Sequence, residues 1–222
     1  PCIIMAHGFG ATKELRLDAY AERFANAGYR VLVFDYRHLG SSDGNPRQLL
    51  SIKKQHEDWH AALAYARSLD GVDTKKIILW GTSFSGGHVA KISVEDGDIA
   101  AVISQVPHLN GPATLHTAGI MQILKLSIAG IRDFIHKIFH FKPFYIGIIG
   151  EPGELAAMTA PGEAVAMEKL VPPGFKINNK IAARICLSVA LYSPGKLARY
   201  IKIPWLIQTS RKDATTPVYP AE

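Results

Sequence analysis

The chain has 222 residues, 48% of them hydrophobic, which is enough for one α/β domain with a real core and room for an inserted subdomain. A formal charge of +6, from 25 Lys and Arg against 19 Asp and Glu, would suit an anionic partner such as a carrier protein or CoA ester, although a mildly basic solvated surface has the same balance. No basic run with interleaved aromatics marks a nucleic-acid partner, and Cys2 and Cys186, in no C-x-x-C pattern or Cys/His cluster, exclude a disulfide framework and a structural zinc and point to a reducing, cytoplasmic setting.

The chain opens at Pro1 and runs straight into an apolar stretch, CIIMA, that reads as a buried strand ending in His7-Gly8-Phe9-Gly10. The expectation is a chain truncated at both ends, so the absence of a signal peptide says little about export. Leu17, Tyr20, Ala21 and Phe24 then recur at helical spacing, with Gly28 as the stop. Residues 29–34, YRVLVF, form the next strand, and the polar loop after it carries Asp35 and Arg37, which read as loop scaffolding. A helix over 52–69 puts Trp59, Leu63, Ala66 and Leu69 on one face. His56 and His60 stand four apart on that helix, a metal-compatible spacing that lacks a third ligand, so no metal site is expected. No cofactor is expected either.

Residues 77–80 form a short unbroken apolar run, as in a parallel strand covered on both faces. Gly81-Thr82-Ser83-Phe84-Ser85-Gly86-Gly87 follows, a variant of the G-x-S-x-G nucleophile elbow with Ser85 in the second glycine's place. A nucleophile at so sharp a strand-to-helix turn needs small neighbours two residues either side, and Gly81 and Ser85 are both small. The new helix leaves its first amides unpaired, which makes the Phe84 N–H an oxyanion donor. A frame with Ser85 as nucleophile would push the serine into the helix and is disfavoured. Residues 99–106 supply a further strand.

From 108 to 200 the rhythm changes to long apolar helices broken by Gly and Pro, far longer than an ordinary crossover. This stretch reads as a helical cap. Met121, Leu124, Ile128, Ile131, Ile135 and Ile138 give one amphipathic helix, its apolar face directed at the core or an acyl pocket, and a second helix is expected over 179–192. The most apolar part, 119–131, is interrupted by Lys125 and followed by Arg132 and Asp133, too short and too charged to span a membrane. Glu151, Glu154 and Glu163 read as caps or solvated charges. Residues 203–208 are the last strand, followed by a polar loop holding Asp213. The division is therefore 1–107 core, 108–200 cap and 201–222 core, built on a doubly wound, mostly parallel sheet.

Taken together, the His7-Gly8-Phe9-Gly10 turn, Asp35-Tyr36-Arg37, the Ser83 elbow and Asp213 resemble the α/β-hydrolase superfamily over nearly the whole chain. HGFGATKE, DYRHLGSSDGNPRQ, WGTSFSGGHV and EPGELAAM are similar to the fungal polyketide transferase and thiohydrolase family, related to Xaa-Pro dipeptidyl-peptidase-like hydrolases. The resemblance implies a serine acyl-enzyme mechanism on a small ester or thioester, free or carried by a protein. Ser83 would attack the carbonyl, the Phe9 and Phe84 amides would hold the oxyanion, and Asp213 would orient a histidine. His7 would fix its loop. All nine histidines precede Asp213, whereas the family's general base follows the acid, so the expectation is a fragment of a longer enzyme, inactive as it stands because the catalytic histidine is absent. The alternatives are a non-catalytic relative that binds acyl ligands and an Xaa-Pro-type peptidase.

Overall fold

The computed structural model describes residues 1–211, 213 and 215–221. The first half alternates strand and helix: β1 (Cys2–Ala6), α1 (Leu17–Asn26), β2 (Arg30–Phe34), α2 (Ile52–Ser68), β3 (Ile77–Thr82), α3 (Phe84–Glu95) and β4 (Ala101–Gln105). The last strand, β8 (Trp205–Gln208), joins them in a five-stranded sheet of order β2-β1-β3-β4-β8, parallel throughout.

β1 is buried along its whole length, and its alternating side chains separate into two clusters. Cys2, Ile4 and Ala6 pack with Trp59 and Leu63 of α2 and with Val89 and Ile92 of α3. Ile3 and Met5 face the other way, onto Leu17 of α1 and Trp80. Because successive strand residues point to opposite faces, this split puts α1 on one side of the sheet and α2 and α3 on the other. The result is a doubly wound, mostly parallel α/β-hydrolase core.

Between β4 and β8 the chain forms α4 (Gly111–Ala118), α5 (Ile120–Ile138), β5 (Tyr145–Ile149), β6 (Ala156–Met158), α6 (Glu163–Glu168), β7 (Ile181–Ala182) and α7 (Cys186–Val189). The insertion is thus not purely helical: β5 pairs in parallel with β6 and antiparallel with β7 in a small sheet of its own. The helix expected over 179–192 shrinks to α7, because Ile181 and Ala182 are drawn into pairing with Tyr145 and Ile146. A third apolar cluster joins this region to the core through Phe84, Leu126, Ile146, Ile148 and Ile181, with Phe9 packed against it.

The stripe expected to face inward on α5 faces outward instead. Met121, Leu124, Ile128, Ile131, Ile135 and Ile138 are all exposed. The buried face consists of Gln122, Leu126, Ala129, Gly130 and Asp133. The reason is close approach plus polar anchoring. A Cβ on Gly130 would lie 2.9 Å from the Leu187 side chain, so glycine lets the helix settle there without displacing that leucine. Asp133 accepts from the Phe144 amide and from the Arg184 amide and guanidinium, and Gln122 donates to the carbonyls of Glu154 and Ala156. Among the described residues no helix is long and apolar enough to cross a membrane.

Candidate active site

β3 ends at Thr82 and α3 begins at Phe84, which leaves Ser83 alone to turn the chain. It does so with φ 54° and ψ −117°, a conformation that costs a non-glycine residue about 1–3 kcal/mol and persists only where the surroundings impose it. Here they do. The Ser83 N–H donates to the Gln105 carbonyl at 2.8 Å, and the Ser83 carbonyl accepts from the His108 N–H at 2.9 Å, so both sides of the turn are tied to the exit of β4. The crowding anticipated from sequence is present: a Cβ on Gly81 would lie 2.3 Å from the Ser85 carbonyl oxygen.

Ser85 is fully buried, and its Oγ lies 2.6 Å from the Tyr36 hydroxyl, which in turn accepts from the Trp59 indole at 2.7 Å. This hydroxyl is a structural link between α3 and the loop after β2, and its burial removes Ser85 as a competing nucleophile. Burial also raises the Tyr36 pKa well above its ordinary value despite the Ser85 and Trp59 bonds, so the link stays neutral.

The turn after β1 reaches the same place. Gly8 lies against Ser83, close enough that a Cβ there would come within 2.9 Å of the serine's own Cβ. The rings of Phe9 and Phe84 meet edge to face, 5.5 Å apart. As the first residue of α3, Phe84 has an N–H without an intrahelical acceptor. Phe9, Ser83 and Phe84 all line one cavity of about 260 Å³, whose other walls include Leu115, Ile123 and Leu126.

His7 is buried behind this turn, its Nδ1–H donating to the Gly8 carbonyl and its Nε2 3.4 Å from Asp35 Oδ1. Burial holds the imidazole pKa below its ordinary value against the pull of both neighbours, so the pair is a neutral ring beside a carboxylate and not a salt bridge. Asp35 accepts from the amides of Lys13 and Ser41, which outweigh its burial and keep it ionised. Arg37 bonds Asp58 and Glu57 and does not pair with Asp35. These are scaffold roles, as anticipated.

Asp213 lies on the loop after β8, and its Oδ1 accepts from the amides of Thr215 at 2.9 Å and Thr216 at 2.7 Å. Thr215 and Thr216 are themselves in the cavity wall. Asp213 therefore shapes the loop that borders the cavity through Oδ1.

Three cavity-wall groups carry weight that sequence reading did not give them. His108, delivered by the exit of β4, has Nε2 3.1 Å from the Tyr192 carbonyl and Nδ1 3.2 Å from Thr114 Oγ1, and burial lowers its pKa to about 4. Glu163, read as a cap or solvated charge, accepts from the Ala160 amide at 2.8 Å but also forms part of the cavity wall. Burial and the charge of Asp213 together raise its pKa, against the Ala160 bond. Cys186 belongs to the same wall, and burial pushes its thiol up to about 12, which leaves it un-ionised and inert as a nucleophile at neutral pH. No spacing rule links these residues, so no motif could have collected them.

Of the histidines read as a possible metal pair, His56 points inward to His88 Nδ1 and Tyr192 Oη, both at 3.1 Å, while His60 is on the surface beside Glu95. The two do not converge.

Comparison with known proteins agrees with this architecture. The family model described as serine aminopeptidase, S33 matches residues 1–141. The quorum-quenching protein AidA of Acinetobacter baumannii is 44% identical over 217 residues, covering 98% of this chain and 71% of that protein. The thiohydrolase aneE of Aspergillus aculeatus is 40% identical over 107 residues, 48% of this chain and 34% of that protein. The crystal structure of the α/β hydrolase GrgF from Penicillium sp. sh18 superposes with a TM-score of 0.83 at 25% identity, covering 100% of this chain and 75% of that one. The chain belongs to the serine aminopeptidase S33 family of α/β hydrolases.

Proposed function

We propose that this chain supplies the nucleophile and the oxyanion amides for acyl chemistry on an ester or thioester, through an acyl-enzyme on Ser83. The observation that carries the reading is Ser83 itself: held at φ 54° by the exit of β4, it lines a cavity together with Phe9 and Phe84. In this reading Ser83 Oγ attacks the acyl carbonyl, and the N–H groups of Phe9 and Phe84 hold the oxyanion. The leaving alcohol or thiol takes up the proton that Ser83 lost to a histidine oriented by Asp213. Water or an acceptor hydroxyl then receives the acyl group. None of the nine histidines here is assigned as that base: His108, which lines the cavity, has both ring nitrogens engaged.

The apolar wall favours an acyl chain. We therefore place esters and thioesters, small or carrier-borne, ahead of peptides. Residues 108–200 act in this reading as the cap over the nucleophile. The free thiols of Cys2 and Cys186 support a reducing, cytoplasmic setting.

A fluorophosphonate probe tests the assignment. It should label the protein at Ser83, and Ser83→Ala should abolish labelling and lower turnover by about 10⁶-fold, as for other serine nucleophiles; undiminished labelling of the variant would sink it. A second reading, an acyl-binding relative without catalysis, is favoured by the engagement of both ring nitrogens of His108, the histidine in the cavity wall, with Tyr192 and Thr114. It predicts no labelling but saturable binding of an acyl ligand.

A further inference from the structure

We propose that the outward face of α5 is a docking surface for an anionic lipid interface. The helix runs Ile120–Ile138, 19 residues, or about 28 Å at 1.5 Å per residue. Its inner face is fully used: Leu126 and Ala129 are packed, Gly130 lies against Leu187, and Asp133 is bonded to Arg184. The outer face is nonetheless the more apolar one. Ile120 is 78% exposed, Ile128 67% and Ile138 56%, with Met121, Leu124, Ile131 and Ile135 between them at three- and four-residue spacing. Past the helix end the surface continues in exposed Phe139 and Phe141, stacked 6.2 Å apart. A face this large and regular on a water-exposed helix asks for an apolar partner.

Charge identifies the partner. Residues 119–144 carry Lys125, Arg132, Lys137 and Lys142 against a single acid, Asp133, and that acid is buried and paired with Arg184. Arg132 is seated over the Phe144 ring, 4.1 Å from its centroid, and Lys137 lies 5.9 Å from that of exposed Phe134. An apolar stripe flanked by cations and ending in phenylalanines matches a helix lying in the plane of an anionic lipid surface, the aromatics at the boundary and the cations at the headgroups. A second copy of this face would match the apolar stripe but would leave the flanking cations of both copies without acidic partners. The same helix contributes Ile123, Leu126 and Ser127 to the cavity, so its two sides would meet the lipid surface and the cavity respectively.

The test is flotation of the purified protein with vesicles of phosphatidylcholine alone and of phosphatidylcholine mixed with phosphatidylglycerol, at low and high salt. Binding is expected to the anionic vesicles only and to weaken with salt. Lys137→Ala with Lys142→Ala should reduce it by about 25-fold, roughly fivefold per cation. Ile128→Ser with Ile131→Ser should reduce it by more than about 100-fold. All four positions are exposed, and if the isoleucine variant does not fold, the lysine variant decides. No binding to either vesicle, or equal binding by folded variants, overturns the proposal. So does light scattering that finds a dimer which the isoleucine variant dissociates, since the face would then join copies of the chain.

Discussion

Tyr36, Ser85 and Trp59 show how much of an elbow depends on residues far from it. Ser85 fills the motif's second glycine position because its hydroxyl has a buried partner 49 residues away in Tyr36. The tolerance of a small residue there was legible in the sequence; the partner was not, since nothing local joins the two. Tyr36→Phe should cost about 2–4 kcal/mol, because it leaves the Trp59 N–H and the Ser85 hydroxyl buried without a bond. In that background Ser85→Ala should cost less than it does alone, a coupling that a double-mutant cycle in urea unfolding reads directly. Gly81→Ala is expected to be worse, more than about 3 kcal/mol, since the atom it strikes belongs to the α3 backbone and cannot swing aside. Thermal unfolding of Gly81→Ala with a wild-type midpoint would contradict the crowding argument. His38 makes the complementary point: its φ of 72° is a conformation that ordinarily favours glycine.

At the scale of an element, α5 separates what periodicity can and cannot tell. Its helical character and its apolar stripe were both plain from spacing. Its orientation was not, because the inner face is chosen by an aspartate, a glutamine and a glycine, residues a hydropathy reading assigns to the outside. Asp133 decides the matter energetically: burial alone would raise its pKa, but the Arg184 guanidinium and the Arg184 and Phe144 amides hold it below the ordinary carboxylate range. Asp133→Ala leaves the Arg184 guanidinium and the two amides without their acceptor, so a loss of about 3–5 kcal/mol is expected. Guanidinium unfolding measures it, and a loss under about 1 kcal/mol would mean that the helix is held by its apolar contacts instead. The 179–192 stretch failed for a related reason. Its pattern suits a helix, and strand pairing with Tyr145 and Ile146, invisible locally, takes its start away.

Across the whole molecule, the buried imidazoles link stability to pH. Burial lowers the pKa of His56 and His108 to about 4 and of His88 well below its ordinary 6.5. The unfolded chain therefore binds protons below about pH 6.5 that the folded chain refuses until about pH 4. Their contribution is complete above the unfolded value and is lost as pH falls through that window. Urea midpoints should drop between pH 7 and pH 5 by an amount on the order of a few kcal/mol in stability. A flat profile would show that the rings are hydrated in the folded state.

The sheet order holds one more consequence. β4 and β8 lie side by side, so residues 106–204 leave the sheet and return to it at adjoining strands. Topologically that whole stretch is a single crossover between neighbouring parallel strands, and it can be lengthened, trimmed or replaced without re-threading any strand. Ser83, meanwhile, is fixed by backbone bonds to the exit of β4. Such an arrangement lets a lineage exchange the walls around the serine turn while inheriting the turn unchanged, and in the function proposed above that is a route to new acyl specificities by recombination at two neighbouring seams.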